Sequence, residues 1–107
     1  MHRGDIVEIT TIAGRAMTAL ILSDTAIAEP VGYIFIAPVL DEVRTREHVT
    51  APVSAVNGHA ILWRMQAVTY GNLAKGTHVG RATTAELDEI NEVLAALLGL
   101  PGRRIGG

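Results

Sequence analysis

The chain contains no cysteine. Disulfide staples, thiolate zinc sites and cysteine nucleophiles are therefore excluded, and a reducing, cytoplasmic compartment is expected. Aromatic residues make up only 4% of the sequence, one Trp, two Tyr and one Phe, too few for the clustered aromatic groove of a proline-rich-peptide adaptor. No apolar run approaches the roughly 20 residues needed to cross a bilayer. The opening Met1-His2-Arg3-Gly4-Asp5 is charged and lacks an apolar h-region, so neither a membrane anchor nor a signal peptide is expected. An excess of positive charge is missing as well. Nine Lys+Arg stand against eleven Asp+Glu, a net charge of −2, which weighs mildly against strong non-specific binding to nucleic acid. The four histidines, His2, His48, His59 and His78, show no metal-ligand spacing, so no metal and no other cofactor is expected. Ser23-Asp24 lacks a histidine at a spacing that would suggest a hydrolase triad, and the glycines form no phosphate-loop pattern.

What the sequence does contain is a foldable apolar set. Hydrophobic residues are 49% of 107 and charged residues 19%, the balance of one globular domain with a single core. Asp5–Ile12 is rich in Ile, Val and Thr and predicts a first strand. Gly14 supplies a turn, and the continuous apolar run Met17–Leu22 predicts a strand covered on both faces. Ser23-Asp24 ends it, and Glu29-Pro30 predicts a loop, because the residue before proline avoids helical geometry. Gly32–Val39 reads as the clearest strand, with Pro38 placing it at an edge, a bulge or a strand end. A charged loop, Asp41–Glu47, precedes a strand over His48–Val56. Asn57-Gly58 is the strongest hairpin signal, followed by one strand over His59–Val68 and a turn-rich connection over Asn72–Gly80.

The last segment differs in kind. Thr83-Thr84-Ala85-Glu86 has the spacing of a capping box. Leu87, Ile90, Val93, Leu94, Leu97 and Leu98 recur at helical spacing, and Gly99 with Pro101 supplies the stop. The expectation is a mostly β, α+β domain over residues 1–101: a small SH3-like barrel of five to six strands, a C-terminal amphipathic helix at about 85–98, and a flexible tail over 102–107.

The order of these pieces, and several short words within them, resembles a family. Arg3-Gly4-Asp5-Ile6 opens strand one and Ala19-Leu20-Ile21-Leu22-Ser23-Asp24 closes strand two. Ile36-Ala37-Pro38-Val39, Ala55-Val56-Asn57-Gly58 and Val79-Gly80-Arg81 follow, and the helix ends Leu97-Leu98-Gly99-Leu100-Pro101. Together they resemble the MazF/PemK-type toxins of bacterial type II toxin–antitoxin pairs, whose SH3-like barrel is shared with CcdB-type gyrase poisons; Leu62-Trp63-Arg64-Met65 is similar to a stretch of the latter. The resemblance implies a dimeric, metal-independent endoribonuclease that cleaves single-stranded RNA through attack by the RNA's own 2′-hydroxyl. It also implies a cognate antitoxin whose acidic disordered segment covers the RNA groove. The chemistry needs a cation on the phosphorane and groups that shuttle protons. Within the family an arginine at the start of strand two supplies the charge, and a hydroxyl after the Ala-Pro-Val-like strand holds the phosphate. Counting back from Ser23 puts that arginine at Met17; counting forward from Gly14 leads to Arg15, the one arginine available there. The hydroxyl position is Leu40.

The catalytic candidate is thus Arg15, which is otherwise a solvated arginine at a hairpin tip. Arg44, Thr45 and Arg46 are the candidates for RNA contact, since an arginine fork matches phosphate oxygens; they could equally pair with Asp41, Glu42 and Glu47. His59 suits a general acid or base but reads better as a surface histidine flanking a hairpin. Trp63 could stack a base or sit in a core or dimer interface. A different class of function stays open, a non-catalytic protein on the same fold that binds a gyrase-like target or only its antitoxin.

Overall fold

The computed structural model describes residues 2–11, 13–41 and 50–100. Seven strands form one antiparallel sheet: β1 (Asp5–Thr10), β2 (Ala16–Ile21), β3 (Tyr33–Leu40), β4 (Thr50–Val53), β5 (Gly58–Ile61), β6 (Gln66–Thr69) and β7 (Thr77–Arg81). Their order is β4-β5-β3-β2-β1-β7, with β6 also paired to β3. Three helices lie on the sheet, α1 (Thr25–Val31), α2 (Tyr70–Ala74) and α3 (Thr84–Leu97). The result is a curled half-barrel with a C-terminal helix, the mostly β architecture expected.

The sheet buries apolar side chains on both faces. Ile6, Leu20, Ala37, Val39, Ala60 and Leu62 pack under α3 through Ile90, Leu87, Val93 and Leu94. Val7, Ile9, Ala19, Ile21, Ile34 and Ile36 form the opposite layer with Ala28 of α1 and Leu73 of α2. Adjacent residues on one strand point to opposite faces, so the unbroken run Ala19–Leu22 feeds both layers. The predicted helix stripe holds over its first turns, while Leu98 is exposed and Gly99 takes the left-handed C′ conformation at φ 70°.

Several local expectations are corrected. Glu29-Pro30 is not a loop but the end of α1. Asp24 caps that helix through Oδ1, which accepts from the Ala26 N–H at 2.9 Å, and Gly32 closes it at φ 87°. Pro30 removes one helical hydrogen bond near the end of a short, doubly capped helix, where the loss is smallest. Pro38 sits neither at an edge nor at a strand end. β3 pairs with β6 through Ile36 and with β5 from Val39 onward, and Pro38 falls in the interval where the partner changes. Of the strand read over His48–Val56, His48 and Val49 lie outside the described residues. The remainder is β4 followed by a 3₁₀ turn, Ser54–Val56, which carries the hairpin to Asn57 at φ 53°. The single strand read over His59–Val68 is two, β5 and β6, broken by a 3₁₀ turn at Leu62–Arg64. The connection read over Asn72–Gly80 contains most of α2 and the start of β7.

Three polar contacts fasten the ends. Arg3 donates from Nε to the Leu22 carbonyl at 2.9 Å and from its guanidinium to Asn91 of α3. Glu86 completes the capping box with Thr83, and its second oxygen accepts from the Ser54 N–H at 2.9 Å, which ties α3 to the turn after β4. Asp5, 5% exposed, accepts from the His2 N–H at 2.7 Å and from Arg81 on β7 at 2.5 Å, with His78 Nε2 at 3.6 Å. Burial alone would raise both carboxyls. At Asp5 the His2 N–H and the Arg81 guanidinium outweigh it, and at Glu86 the Thr83 and Ser54 N–H groups do, so both sit below the ordinary carboxylate value.

A carboxylate whose folded pKa is depressed stabilises fully above its unfolded value and loses that contribution as pH falls through the folded one. Urea denaturation is therefore expected to give constant stability from pH 7 to about 5 and a decline below about pH 4. An Asp5→Asn, Glu86→Gln double variant should be less stable at pH 7 and show a flatter acid limb. At pH 7, Thr83→Ala should cost about 1 kcal/mol through the lost cap. Gly76→Ala should destabilise by about 1–3 kcal/mol, since a Cβ there would meet the Glu8 carbonyl oxygen at 2.9 Å and Ile9 Cγ2 at 2.7 Å; thermal melts measure both.

Candidate functional site

The β1–β2 hairpin carries the arginine singled out above. Its register runs without a shift from Ile6 opposite Leu20 to Thr10 opposite Ala16. Thr11 then closes it: its N–H donates to the Arg15 carbonyl at 2.8 Å, and its hydroxyl accepts from the Arg15 N–H at 3.2 Å. Gly14, at φ 80° with open space around its Cα, makes the turn. Arg15 is exposed and lies two residues beyond Met17, so the alternation of the strand gives it the face on which Met17 opposes Ile9.

That face opens into a groove of about 440 Å³ between the hairpin end and the β6–α2 corner. Ile9, Met17 and Val68 provide apolar wall. Gln66, Thr69 and Asn72 add amide and hydroxyl groups, and Tyr33 of β3 adds a ring. Thr11 belongs to both structures, as a groove residue and as the residue paired with Arg15. Thr69 also caps α2, its hydroxyl accepting from the Asn72 N–H at 3.3 Å. None of the described residues lining the groove is charged. Met17, the second position for the family arginine, is half-buried in the wall and has no charge to offer a phosphate.

The remaining candidates are scattered. Arg44, Thr45 and Arg46 lie outside the described residues. Leu40 ends β3, 42% exposed, opposite His59. His59 is not the surface histidine expected: it is half-buried, and its Nδ1 is buried with no hydrogen-bond partner among the described residues. Trp63 is 51% exposed in the turn between β5 and β6, with the Arg64 guanidinium 5.7 Å from its ring centroid. Among the described residues the arginines are not gathered in one place, because Arg3 and Arg81 are committed to Leu22, Asn91 and Asp5. A second cavity, of about 330 Å³, adjoins Asp5 and His78 beside Leu73 and Gly76; its carboxylate is already bound to Arg81. Among the described residues no group of three or more His, Asp or Glu side chains could hold a metal ion, and no helix is long and apolar enough to cross a membrane.

Sequence reasoning singled out Arg15 as a candidate and gave no sign of the groove that Thr11 lines. The lining residues come from five elements and the β1–β2 turn, and only the pairing of β3 with β6 brings Tyr33 against Val68 and Thr69. The legible signal was partial: polar Gln66, Thr69 and Asn72 within an otherwise apolar stretch.

No protein-family model matches the chain, and no curated protein does. Solved structures do. An endoribonuclease in complex with its cognate antitoxin, from Mycobacterial species, superposes with a TM-score of 0.81 at 22% identity, covering 94% of this chain and 97% of that one. A MazE–MazF structure from Deinococcus radiodurans gives a TM-score of 0.80 at 19% identity, covering 94% and 96%. The Mycobacterium tuberculosis toxin MazF-mt6 gives 0.71 at 20% identity, covering 89% and 97%. Over about nine-tenths of its length or more, the chain thus has the fold of the MazF toxins.

Proposed function

We propose that the chain is the toxin of a type II toxin–antitoxin pair, a cytoplasmic homodimer that cleaves single-stranded RNA without a metal. The observation that carries this reading is the superposition along nearly the whole of both chains on an endoribonuclease held by its antitoxin, joined to an exposed arginine whose backbone N–H is bound by Thr11, a residue of the groove. In the reaction the RNA 2′-hydroxyl attacks the adjacent phosphorus, the bond to the 5′-oxygen breaks, and a 2′,3′-cyclic phosphate remains. Negative charge accumulates on the phosphorane oxygens. Arg15 supplies the cation there, its five N–H donors being suited to two oxygens at once. Arg44, Thr45 and Arg46, which follow Leu40 in the sequence, hold the neighbouring backbone, so the phosphate contact does not depend on a hydroxyl at position 40. The antitoxin competes with an acidic disordered segment laid over the same cations, and dimerisation extends the groove across two copies.

The test is cleavage of a mixed-sequence RNA by the native chain and by Arg15→Ala. Native protein should cut in the presence of EDTA and leave cyclic phosphate ends, and Arg15→Ala should lower kcat by about 10²–10³, as removal of one oxyanion donor does. Cleavage that survives the substitution rules out Arg15, and no cleavage of any RNA by the native chain rules out the enzyme. An Arg44→Ala, Arg46→Ala variant should weaken RNA binding and lower the slope of log K against log salt by about 0.7 per lost phosphate contact.

A further inference from the structure

We infer that His59 is a substrate-contact residue, held as the neutral Nε2–H tautomer and donating that N–H to a phosphate oxygen of the bound RNA. This role rests on the RNA-cleaving reading above and adds a contact, made without charge, to the one that reading gives Arg15.

His59 stands opposite Leu40 of β3 on one side and Pro52 of β4 on the other. Along β3, Ile34 and Ile36 belong to the layer packed on α1 and α2. Leu40, four residues beyond Ile36, returns to that same face by the alternation of a strand. Met17 packs against the layer as well, and the register that sets Ala19 opposite Pro38 brings Met17 level with Leu40. One face of the sheet thus presents Met17, Leu40, His59 and Pro52 in a row, with Arg15 just past Met17. Neighbouring strands are about 4.8 Å apart, so His59 lies about 10 Å across the sheet from Met17, a span that successive phosphates of a single strand bridge. Leu40, 42% exposed, fills the interval with apolar surface that takes a sugar but not a charge.

The ring itself decides what kind of contact this is. Its cross-strand neighbours, Leu40 and Pro52, have no polar side-chain atoms to offer. Nδ1 is buried without a hydrogen-bond partner among the described residues, while Nε2 is not buried. A neutral imidazole carries one N–H and one lone pair. A proton on Nδ1 would be an orphaned buried donor, the rarest kind of unpaired group, whereas an acceptor short of a donor is better tolerated. The N–H therefore belongs on Nε2, at the open side of the ring. The same geometry argues against His59 as a proton shuttle, since a shuttle passes through the form with an N–H on both nitrogens. What remains is a fixed, neutral, outward-facing donor, and its complement is an oxygen acceptor. An RNA strand crossing the face from Arg15 presents phosphate oxygens at every nucleotide. In protein–DNA complexes half or more of the hydrogen bonds go to phosphate and sugar, from neutral as well as charged donors.

Two measurements test the assignment. Long-range proton–nitrogen NMR of the isotope-labelled native protein, at about pH 8, reads which ring nitrogen carries the proton: Nε2 is expected, and a proton on Nδ1 overturns the inference. Binding of a 2′-O-methyl oligoribonucleotide, which has no free 2′-hydroxyl, and cleavage of the matching RNA then read the contact. His59→Ala should weaken binding and raise KM by about three- to ten-fold, the range of one hydrogen bond, with kcat within about two-fold of native. The slope of log K against log salt should stay as in the native chain, because no charge is lost. A charged contact would lower that slope by about 0.7, and this outcome overturns the neutral donor. His59→Gln, whose amide N–H reaches the place of Nε2, should keep the binding; His59→Asn, whose amide reaches only the place of Nδ1, should not. The amide spectrum of each variant shows whether the fold is kept. Unchanged RNA binding by His59→Ala overturns the inference, as does a defect of that variant seen with an acidic peptide and absent with RNA. Cleavage that is equal in the native chain and His59→Ala removes the contact and keeps the nuclease. Binding that depends on His59 in a chain that cuts no RNA keeps the contact and removes the nuclease.

Discussion

Everything in this fold is arranged around β3, an eight-residue strand that serves three partners. β2 lies along one side, opposite Ile36–Pro38, while β6 and β5 divide the other side between its first and last residues. A strand flanked on both sides and covered on both faces must be apolar at nearly every position. Ile34, Ile36, Ala37, Pro38 and Val39 meet that demand and are buried. The change of partner cannot occur in a flat sheet, since β5 and β6 reach β3 from different directions with a 3₁₀ turn between them. The divergence curls the sheet, leaves one face to α3 and lets the groove open where β6 parts from the β1–β2 hairpin.

The sequence was informative wherever local chemistry and tertiary packing agree. β1, β2, β3 and α3 were legible because their apolar residues carry a clear pattern and their ends carry strong caps; the capping box from Thr83 to Glu86 is present as its spacing predicts. The misses have one physical origin. α2 is five residues long and buries only Leu73, so no periodicity announces it. β7 buries almost nothing of its own side chains and exists because β1 pairs with it, a long-range contact that no local pattern encodes. Pro30 and Pro38 misled for the opposite reason. Proline forbids a backbone donor, and in both places the fold had no strong need of one. The candidate site was legible in part: Arg15 stood out as the cation of the hairpin, while Tyr33 and Asn72, far apart along the chain, gave no sign that they share a groove.

The distribution of positive charge in a chain of net charge −2 follows from which arginines the fold uses. Arg3 and Arg81 brace the structure, one across to α3 and the other against a buried carboxylate. Arg64 sits over Trp63. Arg15 has no side-chain partner among the described residues, and it stands where the hairpin projects beyond the core. A free cation at a hairpin end attracts an anion locally without turning the whole surface basic, while α3 presents the exposed carboxylates Asp88, Glu89 and Glu92.

The two margins of the sheet have a consequence for the protein as a material. β4 and β7 each end the ladder, and a row of unpaired backbone groups invites another chain to add itself as a further strand. β4 is four residues long and contains Pro52, which has no N–H to offer a newcomer. β7 carries an extra residue, Val79, between His78 opposite Val7 and Gly80 opposite Ile6, and this irregularity twists its outer side away from a straight template. Gly80 is also pressed against Ala55, where even a methyl group would come within 2.9 Å, so part of that margin is already covered. At β4 and β7 the backbone itself thus obstructs the addition of a further strand.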